Sequence, residues 1–332
     1  MPVRNEADLI GRALGAVLAQ DYPAACMEVL VVDGLSADQT VALAQSAAGS
    51  DPRVKVLANP GRIQSCGINI GLRAARGEVI VRVDGHTIIA RDYLSRCVHH
   101  LRETGAACVG GPLRFTGITP TGKAIASAYR SPFCVPSRYR ISRRAEYADT
   151  VYLGAWPRRV FDQIGGFDEA LAINEDYEFS YRIRRAGGRI FLTPDIYSDY
   201  YGRQTFGALW HQFFRYGRWK FRMLARYPDS VRPRQVTAPS FVAALIGGAL
   251  LAPFNRWIAR LWALVVISYG IANLAASLKQ AARDGYDRFP RLPVVFACVH
   301  LGWGSGFLIE AALRLCSKIR LPRHHERNQQ HP

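Results

Sequence analysis

Carboxylates stand directly after short apolar runs at two points of the sequence. The run 29–32 leads into Asp33, and the run 79–83 leads into Asp84, two residues before His86. Such runs predict buried strands, and ligands bind beyond strand ends in parallel α/β sheets. Asp33 can accept hydrogen bonds from a base or ribose, or it can be an ordinary turn aspartate. Asp84 can hold a divalent cation, with His86 as a second ligand that suits Mn²⁺ better than Mg²⁺ or as a hydrogen-bond partner of a phosphate.

A second acidic group opens a predicted helix. Glu175 and Asp176 precede the apolar stripe of a helix that runs to Arg185. Ionised carboxylates are favoured at helix N-termini, so helix capping is one interpretation of Asp176. Elsewhere, Arg62 has a planar guanidinium that suits the paired oxygens of a diphosphate, although a lone arginine is more often a surface charge.

The elements around these residues alternate between helix and strand. Periodic apolar residues predict helices over Leu9–Leu18, Thr40–Ala47 and Ile68–Ala75, and apolar runs predict strands over 29–32, 54–57 and 79–83. This alternation indicates an α/β fold with a mostly parallel sheet and helices on both faces. The loop Met1–Glu6 lacks the strand that should lead into it, so we expect a fragment or a misassigned start.

The middle of the chain has a weaker pattern. Residues 106–148 are predicted to form a solvated loop, or a loop that contacts an anion through its arginines, which are Arg138, Arg140, Arg143 and Arg144. A turn over Ile164–Asp168, a helix over Asp176–Arg185 and a strand over Ile190–Leu192 follow.

Charge and cysteine usage narrow the class of protein. The formal net charge is +17, and residues 203–234 hold eight Lys or Arg against the single acid Asp229. Because an apolar stretch follows at once and no zinc spacing or recognition helix accompanies the charge, the block favours a cytoplasmic membrane surface over nucleic acid. The seven cysteines contain no C-x-x-C pair, which argues against a disulfide framework and a structural zinc site.

Three uncharged stretches lie near the C-terminus, at 238–254, 261–278 and 292–309. Each is close to the lower length limit of a membrane-spanning helix, and buried core helices are the alternative. Three crossings would put the basic tail from Arg314 onwards outside, against the positive-inside tendency. We therefore predict a cytosolic C-terminus, with the first stretch re-entrant or interfacial because Gly247–Gly248 and Pro253 weaken it.

Seven short motifs occur in a fixed order. They are Pro2-Val3-Arg4-Asn5-Glu6, Val31-Val32-Asp33-Gly34, Asn59-Pro60-Gly61-Arg62, Ala75-Arg76-Gly77-Glu78, Val83-Asp84-Gly85-His86, Gly165-Gly166-Phe167-Asp168 and Asn174-Glu175-Asp176-Tyr177-Glu178. Together they resemble the family 2 glycosyltransferases of the GT-A fold, over residues 1–220. His86 departs from the D-x-D metal motif of that family. The stretch Gly61–Ser65, the D-x-H variant and the apolar C-terminal segments resemble the bacterial succinoglycan-biosynthesis β-1,3-glucosyltransferase group.

The resemblance implies a role for each matching position. Donor-binding residues are then Pro2, Asn5, Glu6, Asp33, Arg62 and Asp84, and the metal, Mn²⁺ or Mg²⁺, is held by Asp84 and His86. Asp176, with Glu175 beside it, is then the general base that takes the acceptor proton. Arg215-x-x-Arg218-Trp219 resembles the Q/R-x-x-R-W motif of membrane-bound members. The residues assigned to the acceptor and diphosphate are Gly154, Arg215, Arg218 and Trp219. An interfacial helix is the other interpretation of that segment.

These observations predict an inverting glycosyltransferase that moves a hexose, with glucose from UDP-glucose as the leading donor, onto a lipid-linked or polysaccharide acceptor in exopolysaccharide biosynthesis. The expected place is the cytoplasmic face of the inner membrane. Predicted regions are a GT-A catalytic domain (1–200), an interfacial region (201–236), membrane segments (237–313) and a polar tail (314–332). The alternatives are a sugar-nucleotide-forming nucleotidyltransferase and a catalytically inactive membrane scaffold.

Overall fold

The computed structural model describes residues 1–135 and 142–320, without the side chains of 317–320. The helices are α1 (Ile10–Leu18), α2 (Thr40–Ala48), α3 (Gln64–Ala74), α4 (Tyr93–Thr104), α5 (Pro120–Ala128), α6 (Arg158–Ile164), α7 (Glu175–Arg185), α8 (Phe206–Arg226), α9 (Pro233–Leu251), α10 (Arg256–Asp284) and α11 (Leu292–Arg320). The strands are β1 (Pro2–Val3), β2 (Val29–Asp33), β3 (Val54–Ala58), β4 (Val79–Val81), β5 (Thr87–Ile89), β6 (Cys108–Gly111), β7 (Leu113–Thr116), β8 (Glu146–Tyr147), β9 (Tyr152–Pro157), β10 (Ile190–Leu192) and β11 (Ser198–Tyr201).

The first three strands form a parallel sheet in the order β1-β2-β3. Strand β2 is buried along its whole length because it is a continuous apolar run, and it packs against the apolar face of α1. The prediction of alternating helices and strands is confirmed here. The prediction that no strand leads into the first loop is wrong, because Pro2 and Val3 pair with Val32 and Asp33 as a two-residue strand.

The remaining strands form two mixed sheets, so the parallel arrangement expected from the sequence holds only in part. Their orders are β4-β9-β6-β10-β8 and β5-β11-β7. Strand β9 enters antiparallel between β4 and β6, with Ala155 opposite both Val81 and Val109. This insertion puts Tyr152, at the start of β9, near the segment that follows β4.

The interpretation of residues 106–148 as a loop is wrong over most of the segment that the structure describes. Strands β6 and β7 and helix α5 occupy it, and their apolar residues are buried in the hydrophobic clusters of the protein. Strand β7 has only four residues, too few for its alternation of apolar and polar residues to be recognised in the sequence. Arg143 and Arg144 are exposed, whereas Arg138 and Arg140 lie outside the described residues.

Within the described part of the chain, three helices are long and apolar enough to cross a membrane: Pro233–Phe254, Arg256–Asp284 and Leu292–Cys316. Only 11%, 11% and 39% of their most apolar windows are buried inside the protein. Large apolar side chains such as Phe254 and Leu264 point outwards. The first two segments are therefore too exposed to be buried core helices, whereas the third is partly buried.

Helices α9 and α10 form a hairpin. Gly248 lies under the indole of Trp262, where a Cβ would overlap the ring, and the indole Nε1 donates to the carbonyl of Leu245 at 3.0 Å. Asn255 caps α10 by accepting from the backbone N–H of Trp257. The expectation that Gly247–Gly248 weakens the first segment is therefore wrong, since α9 is continuous and Gly248 provides a close helix contact.

Helix α8 runs parallel to α11 in close contact. A Cβ at Gly306 would overlap the backbone of Phe214, and one at Gly217 would overlap the backbone of Trp303, because the helices approach backbone to backbone. Further along, Glu310 accepts from Arg222 at 2.6 Å. The two helices thus share one packed seam.

Candidate active site

A single cavity of about 750 Å³ lies between the sheet edge and the C-terminal helices. It collects five of the residues predicted from the sequence: Asp84, His86, Glu175, Asp176 and Arg215. Its opposite wall comes from the apolar helices and contains Thr237, Ala238, Phe241, Tyr269, His300 and Trp303. The same space therefore joins the acidic groups to the segments that can enter a membrane.

Asp84 is the most heavily hydrogen-bonded acid of this cavity. One carboxylate oxygen accepts from Arg82 Nε at 2.8 Å and from Gln64 Nε2 at 3.0 Å. The other accepts from Arg82 Nη2 at 3.1 Å and from the Tyr152 hydroxyl at 3.3 Å. Arg82 also reaches Glu175, at 3.4 Å from its Nη1. A bidentate, charge-assisted pair of this kind fixes the carboxylate in one orientation.

The buried charges shift one another's pKa values. Burial alone would raise the pKa of Asp84, but the charge and hydrogen bonds of Arg82 hold it below its ordinary value. Burial would lower the pKa of Arg82, and Asp84 and Glu175 outweigh that effect and raise it. Burial and then the charge of Asp176 raise the pKa of Glu175 to about 7. The cluster thus holds Asp84 ionised while Glu175 retains a proton more readily than a surface glutamate.

His86 is oriented by Glu6. Its Nδ1 lies 2.8 Å from a Glu6 carboxylate oxygen, which can only accept, and its ring packs edge-on against Tyr200. Burial lowers the pKa of His86, but the bond to Glu6 outweighs burial and the pKa is raised. A carboxylate on one imidazole nitrogen is the usual way to orient a histidine whose other nitrogen binds a ligand.

The predicted nucleotide loops are held together by their own hydrogen bonds. Asp33 accepts from the Ser36 hydroxyl at 2.6 Å and from the Ser36 backbone N–H at 3.1 Å. Asn5, in the left-handed region with φ +54°, accepts from the Ala37 N–H at 2.9 Å and donates its own N–H to Ser36. These contacts hold the two loops side by side. A ligand that donates a hydrogen bond to Asp33 must bind a carboxylate that already accepts from Ser36.

The start of α7 is built on a residue in the left-handed region. Asn174 has φ +69°, which turns the chain so that Asp176 enters the first helical turn and faces the cavity. Glu178, fully buried, accepts from Arg182 Nε at 2.6 Å, and Arg182 donates to the carbonyl of Gly166 at 2.6 Å. Glu178 and Arg182 therefore anchor the helix to the glycine turn before it.

Several predicted residues lie away from the cavity. Arg62 is exposed with φ +59°, and Pro2 is part of β1. Gly154 has φ +83° and lies against the Trp156 ring, which leaves no space for a Cβ. Arg218 pairs with Glu310 at 2.9 Å, and Trp219 is covered by the Arg222 guanidinium. Arg218 is thus tied to α11, whereas Arg215 of the same motif lines the cavity, so the motif and interfacial-helix interpretations of this segment both stay predictions.

The sequence analysis missed four residues of the site: Arg82, Gln64, Tyr152 and Lys220. Arg82 carried a signal, because a charged residue inside an apolar strand run needs a buried partner, and Asp84 lies two residues away on the same side. The other three reach the cavity from distant elements, and local patterns do not reveal such contacts.

The α/β sheets and the acids at the cavity are those expected of a transferase with the GT-A fold. The family model described as "Glycosyl transferase family 2" matches residues 1–167, so the chain belongs to glycosyltransferase family 2. The chain is 32% identical to succinoglycan biosynthesis protein ExoA of Rhizobium meliloti, over 92% of both chains. It is 31% identical to glycosyltransferase AglE of Haloferax volcanii, over 66% of this chain and 70% of that protein.

A solved structure has the same fold. It is a mannosyltransferase from Pyrobaculum calidifontis in complex with GDP-Man and Mn²⁺, 22% identical, with a TM-score of 0.58 over 96% of this chain and 86% of the other. The family and fold predicted from the motifs are confirmed. Because family 2 members transfer glycosyl groups, the nucleotidyltransferase alternative is excluded.

Proposed function

We propose that this glycosyltransferase moves a hexose, with glucose from UDP-glucose as the leading donor, onto a lipid-linked or polysaccharide acceptor in exopolysaccharide biosynthesis. The observation that carries the proposal is the single cavity that joins Asp84 and Asp176 to three apolar helices. The likeness to a succinoglycan biosynthesis protein over nearly the whole chain supports the pathway class.

Asp176 is the base in this proposal. Its carboxylate takes the proton of the acceptor hydroxyl as the acceptor oxygen bonds to the anomeric carbon, and the bond from that carbon to the diphosphate oxygen breaks with its electron pair. One base on the face opposite the leaving group gives inversion at the anomeric carbon. Asp176 suits this role because one of its oxygens is fixed by the Tyr177 N–H at 2.7 Å while the side chain faces the cavity.

The donor set fits a divalent cation. Asp84 supplies a carboxylate and His86 an imidazole whose Nδ1 is already held by Glu6, a combination that suits Mn²⁺. The 3.3 Å contact from the Tyr152 hydroxyl is the longest of the four bonds to Asp84, and it is the one most easily given up to a cation. A bound cation would neutralise charge that builds up on the diphosphate. Asn5, Asp33 and Arg62 form the nucleotide end of the site in this proposal.

The packing of the helices supports a topology in which both ends of the α9–α10 hairpin lie on the same side of the membrane as the catalytic domain, a side that we assign to the cytoplasm at the inner membrane. The α9–α10 hairpin begins and ends on the catalytic domain, since Arg234 pairs with Asp149 and Asp284 accepts from Ser127. A helix of 22 residues is about 33 Å long, close to the apolar thickness of a bilayer. The hairpin therefore enters the membrane and returns.

Helix α11 is the segment that we assign to the membrane surface. It runs beside α8, whose arginines and lysine are costly in the bilayer centre, and Leu292 and Phe296 are buried against the catalytic domain. A hairpin plus an interfacial α11 leaves the C-terminus in the cytosol. In this proposal, the stretch that does not cross the membrane is the third. From the sequence alone, the first stretch was expected to be the one that does not cross. A C-terminal reporter active only in the periplasm would contradict this arrangement.

Anomeric configuration tests the proposed reaction. Purified protein in nanodiscs, supplied with α-configured UDP-[¹³C]glucose and a lipid-linked acceptor, should give a β-glucoside, read from the anomeric coupling constant by NMR. An α-glucoside would contradict inversion. Failure of every nucleotide sugar tested to give a product would favour the inactive-scaffold alternative.

A further inference from the structure

A buried lysine faces the cavity beside the proposed base. Lys220 lies on α8, is 5% exposed, and its ammonium stands 4.0 Å from the centre of the Tyr177 ring. It lines the same cavity as Asp176. Among the residues that the structure describes, no side chain or carbonyl accepts a hydrogen bond from this ammonium. The ammonium faces the cavity and has no hydrogen-bond acceptor there, so an anionic ligand in the cavity can pair with it.

The charges around Lys220 leave room for such a ligand. Asp149, the acid nearest to Arg234, is paired with that arginine, and Asp176 is bonded to the Tyr177 N–H. Burial lowers the pKa of Lys220 to about 8, with Asp176 and Asp149 raising it and Arg234 lowering it. The ammonium is thus still charged near neutral pH and still available.

Lys220 stands where the acidic part of the cavity meets its apolar part. Arg234, Gln235 and Thr237 at the start of α9 line the cavity with it, and Phe241 and Tyr269 continue the wall along the hairpin. The rings of Phe241 and Tyr269 lie 4.5 Å apart, with a tilt of 33°. Lys220 therefore shares one cavity with the proposed base and with the rings of the hairpin, and it lies within electrostatic reach of both Asp176 and Arg234.

We propose that Lys220 is the phosphate-binding residue of the acceptor site, and that it holds the phosphate that joins the acceptor sugar to its lipid. The inference rests on the proposed function, in which the acceptor is lipid-linked. The lipid then lies along the α9–α10 wall, the phosphate on Lys220 and the acceptor hydroxyl at Asp176. Lys220 is distinct from Arg203 and Arg215, which line the cavity but are exposed.

The test compares two acceptors that carry the same sugar, one on a polyprenyl diphosphate and one on an uncharged alkyl chain. Lys220→Met should raise KM for the diphosphate acceptor about 10- to 100-fold, the usual effect of losing a charged hydrogen bond, and leave KM for the alkyl glycoside and for the donor unchanged. Lys220→Arg should restore most of the affinity. Lys123→Met, on an exposed lysine of α5, is the matched control and should change none of these values.

The pH dependence gives a second readout. The wild-type KM for the diphosphate acceptor should rise as pH passes about 8, because Lys220 loses its proton there, and the alkyl glycoside should show no such rise. The charged groups that face Lys220 are Asp176, Asp149 and Arg234. Lys220→Arg should remove the rise, since arginine stays charged.

A direct binding measurement separates this inference from the proposed function. Polyprenyl diphosphate without a sugar should bind the wild-type protein in nanodiscs and bind Lys220→Met more weakly, whether or not transfer occurs. Equal loss on both acceptors would overturn the inference and indicate a structural role. A raised KM for the donor instead would overturn it by assigning Lys220 to the donor diphosphate. Absence of transfer by the wild type, with lipid binding intact, would overturn only the proposed function.

Discussion

The two walls of the cavity are built in different ways. On the donor wall, which contains Asp84 and His86, hydrogen bonds to neighbours such as Arg82 and Glu6 fix the side chains. On the helical wall, Lys220 and Phe241 are placed by helices that pack on each other through glycines and ion pairs. Substitutions next to the acids of the donor wall should therefore disturb their positions directly. The positions of the side chains on the helical wall depend instead on helix contacts far from the cavity.

The largest effect is expected at the base, where the two walls meet. Asp176→Asn keeps the size of the side chain but cannot take a proton, so transfer should fall about 10²–10⁴-fold while donor binding is retained. Single-turnover transfer and donor titration measure the two separately. Asp162→Asn, on the exposed face of α6, is the control. Normal transfer by Asp176→Asn would make Asp176 a helix cap and place the base elsewhere.

Two substitutions of Asp84, on the donor wall, distinguish its role in transfer from its role in folding. Asp84→Ala should abolish transfer and should also destabilise the fold, because Arg82 would stay buried without its main partner. Breaking a buried pair costs about 3–5 kcal/mol, so Asp84→Ala should unfold at much lower temperature.

Asp84→Asn keeps an acceptor for Arg82 and should lose transfer with a smaller loss of stability. Thermal unfolding and Mn²⁺-dependent transfer distinguish the variants, and full activity in EDTA would exclude the metal. His86→Ala should be milder and should change the preference between Mn²⁺ and Mg²⁺.

On the helical wall, the packing of α8 on α11 should be sensitive to a single methyl group. Gly306→Ala puts a Cβ against the Phe214 backbone and should destabilise the protein by about 1–3 kcal/mol. Gly270→Ala is the control, because nothing lies within 4 Å of the added Cβ, and alanine is favoured over glycine in a helix. Thermal unfolding in detergent compares them, and equal stability of the two variants would rule out the proposed seam.

The smallest effect concerns Glu175. Its pKa is raised from 4.5 to about 7 in the folded protein, so folding favours the protonated form. The stability that this proton contributes is present below pH 4.5 and is lost as pH rises through about 7. The melting temperature of the wild type should therefore fall more between pH 5 and pH 8 than that of Glu175→Gln. Parallel pH profiles would show that Glu175 has an ordinary pKa.

The sequence predicts the donor wall well because its information is local. Strand β2 ends at Asp33 and helix α7 opens at Glu175, as the patterns indicate. Strand β4 ends at Val81, two residues earlier than predicted, although the backbone N–H of Arg82 still donates to the carbonyl of Gly154 at 3.1 Å. Even there, the mixed sheets are not predictable, because the antiparallel insertion of β9 involves strands far apart in the chain.

The helical wall could be predicted only as a set of apolar segments. Arg218 and Trp219 match both a family motif and an interfacial helix in sequence, and neither pattern reveals that Arg218 pairs with Glu310 on α11. Lys220 carries no local signal at all, since it is one basic residue in a basic helix. Long-range packing decides which of these residues faces the cavity.

We propose that one cavity carries a sugar from a nucleotide to an acceptor held in the membrane beside it. Transfer of labelled glucose from UDP-glucose, measured in nanodiscs that contain both the protein and a polyprenyl diphosphate-linked acceptor, tests this proposal. We predict a glycosylated lipid of one added hexose mass, formed faster than with the same acceptor sugar free in solution. Equal or faster transfer to the free sugar would contradict the claim.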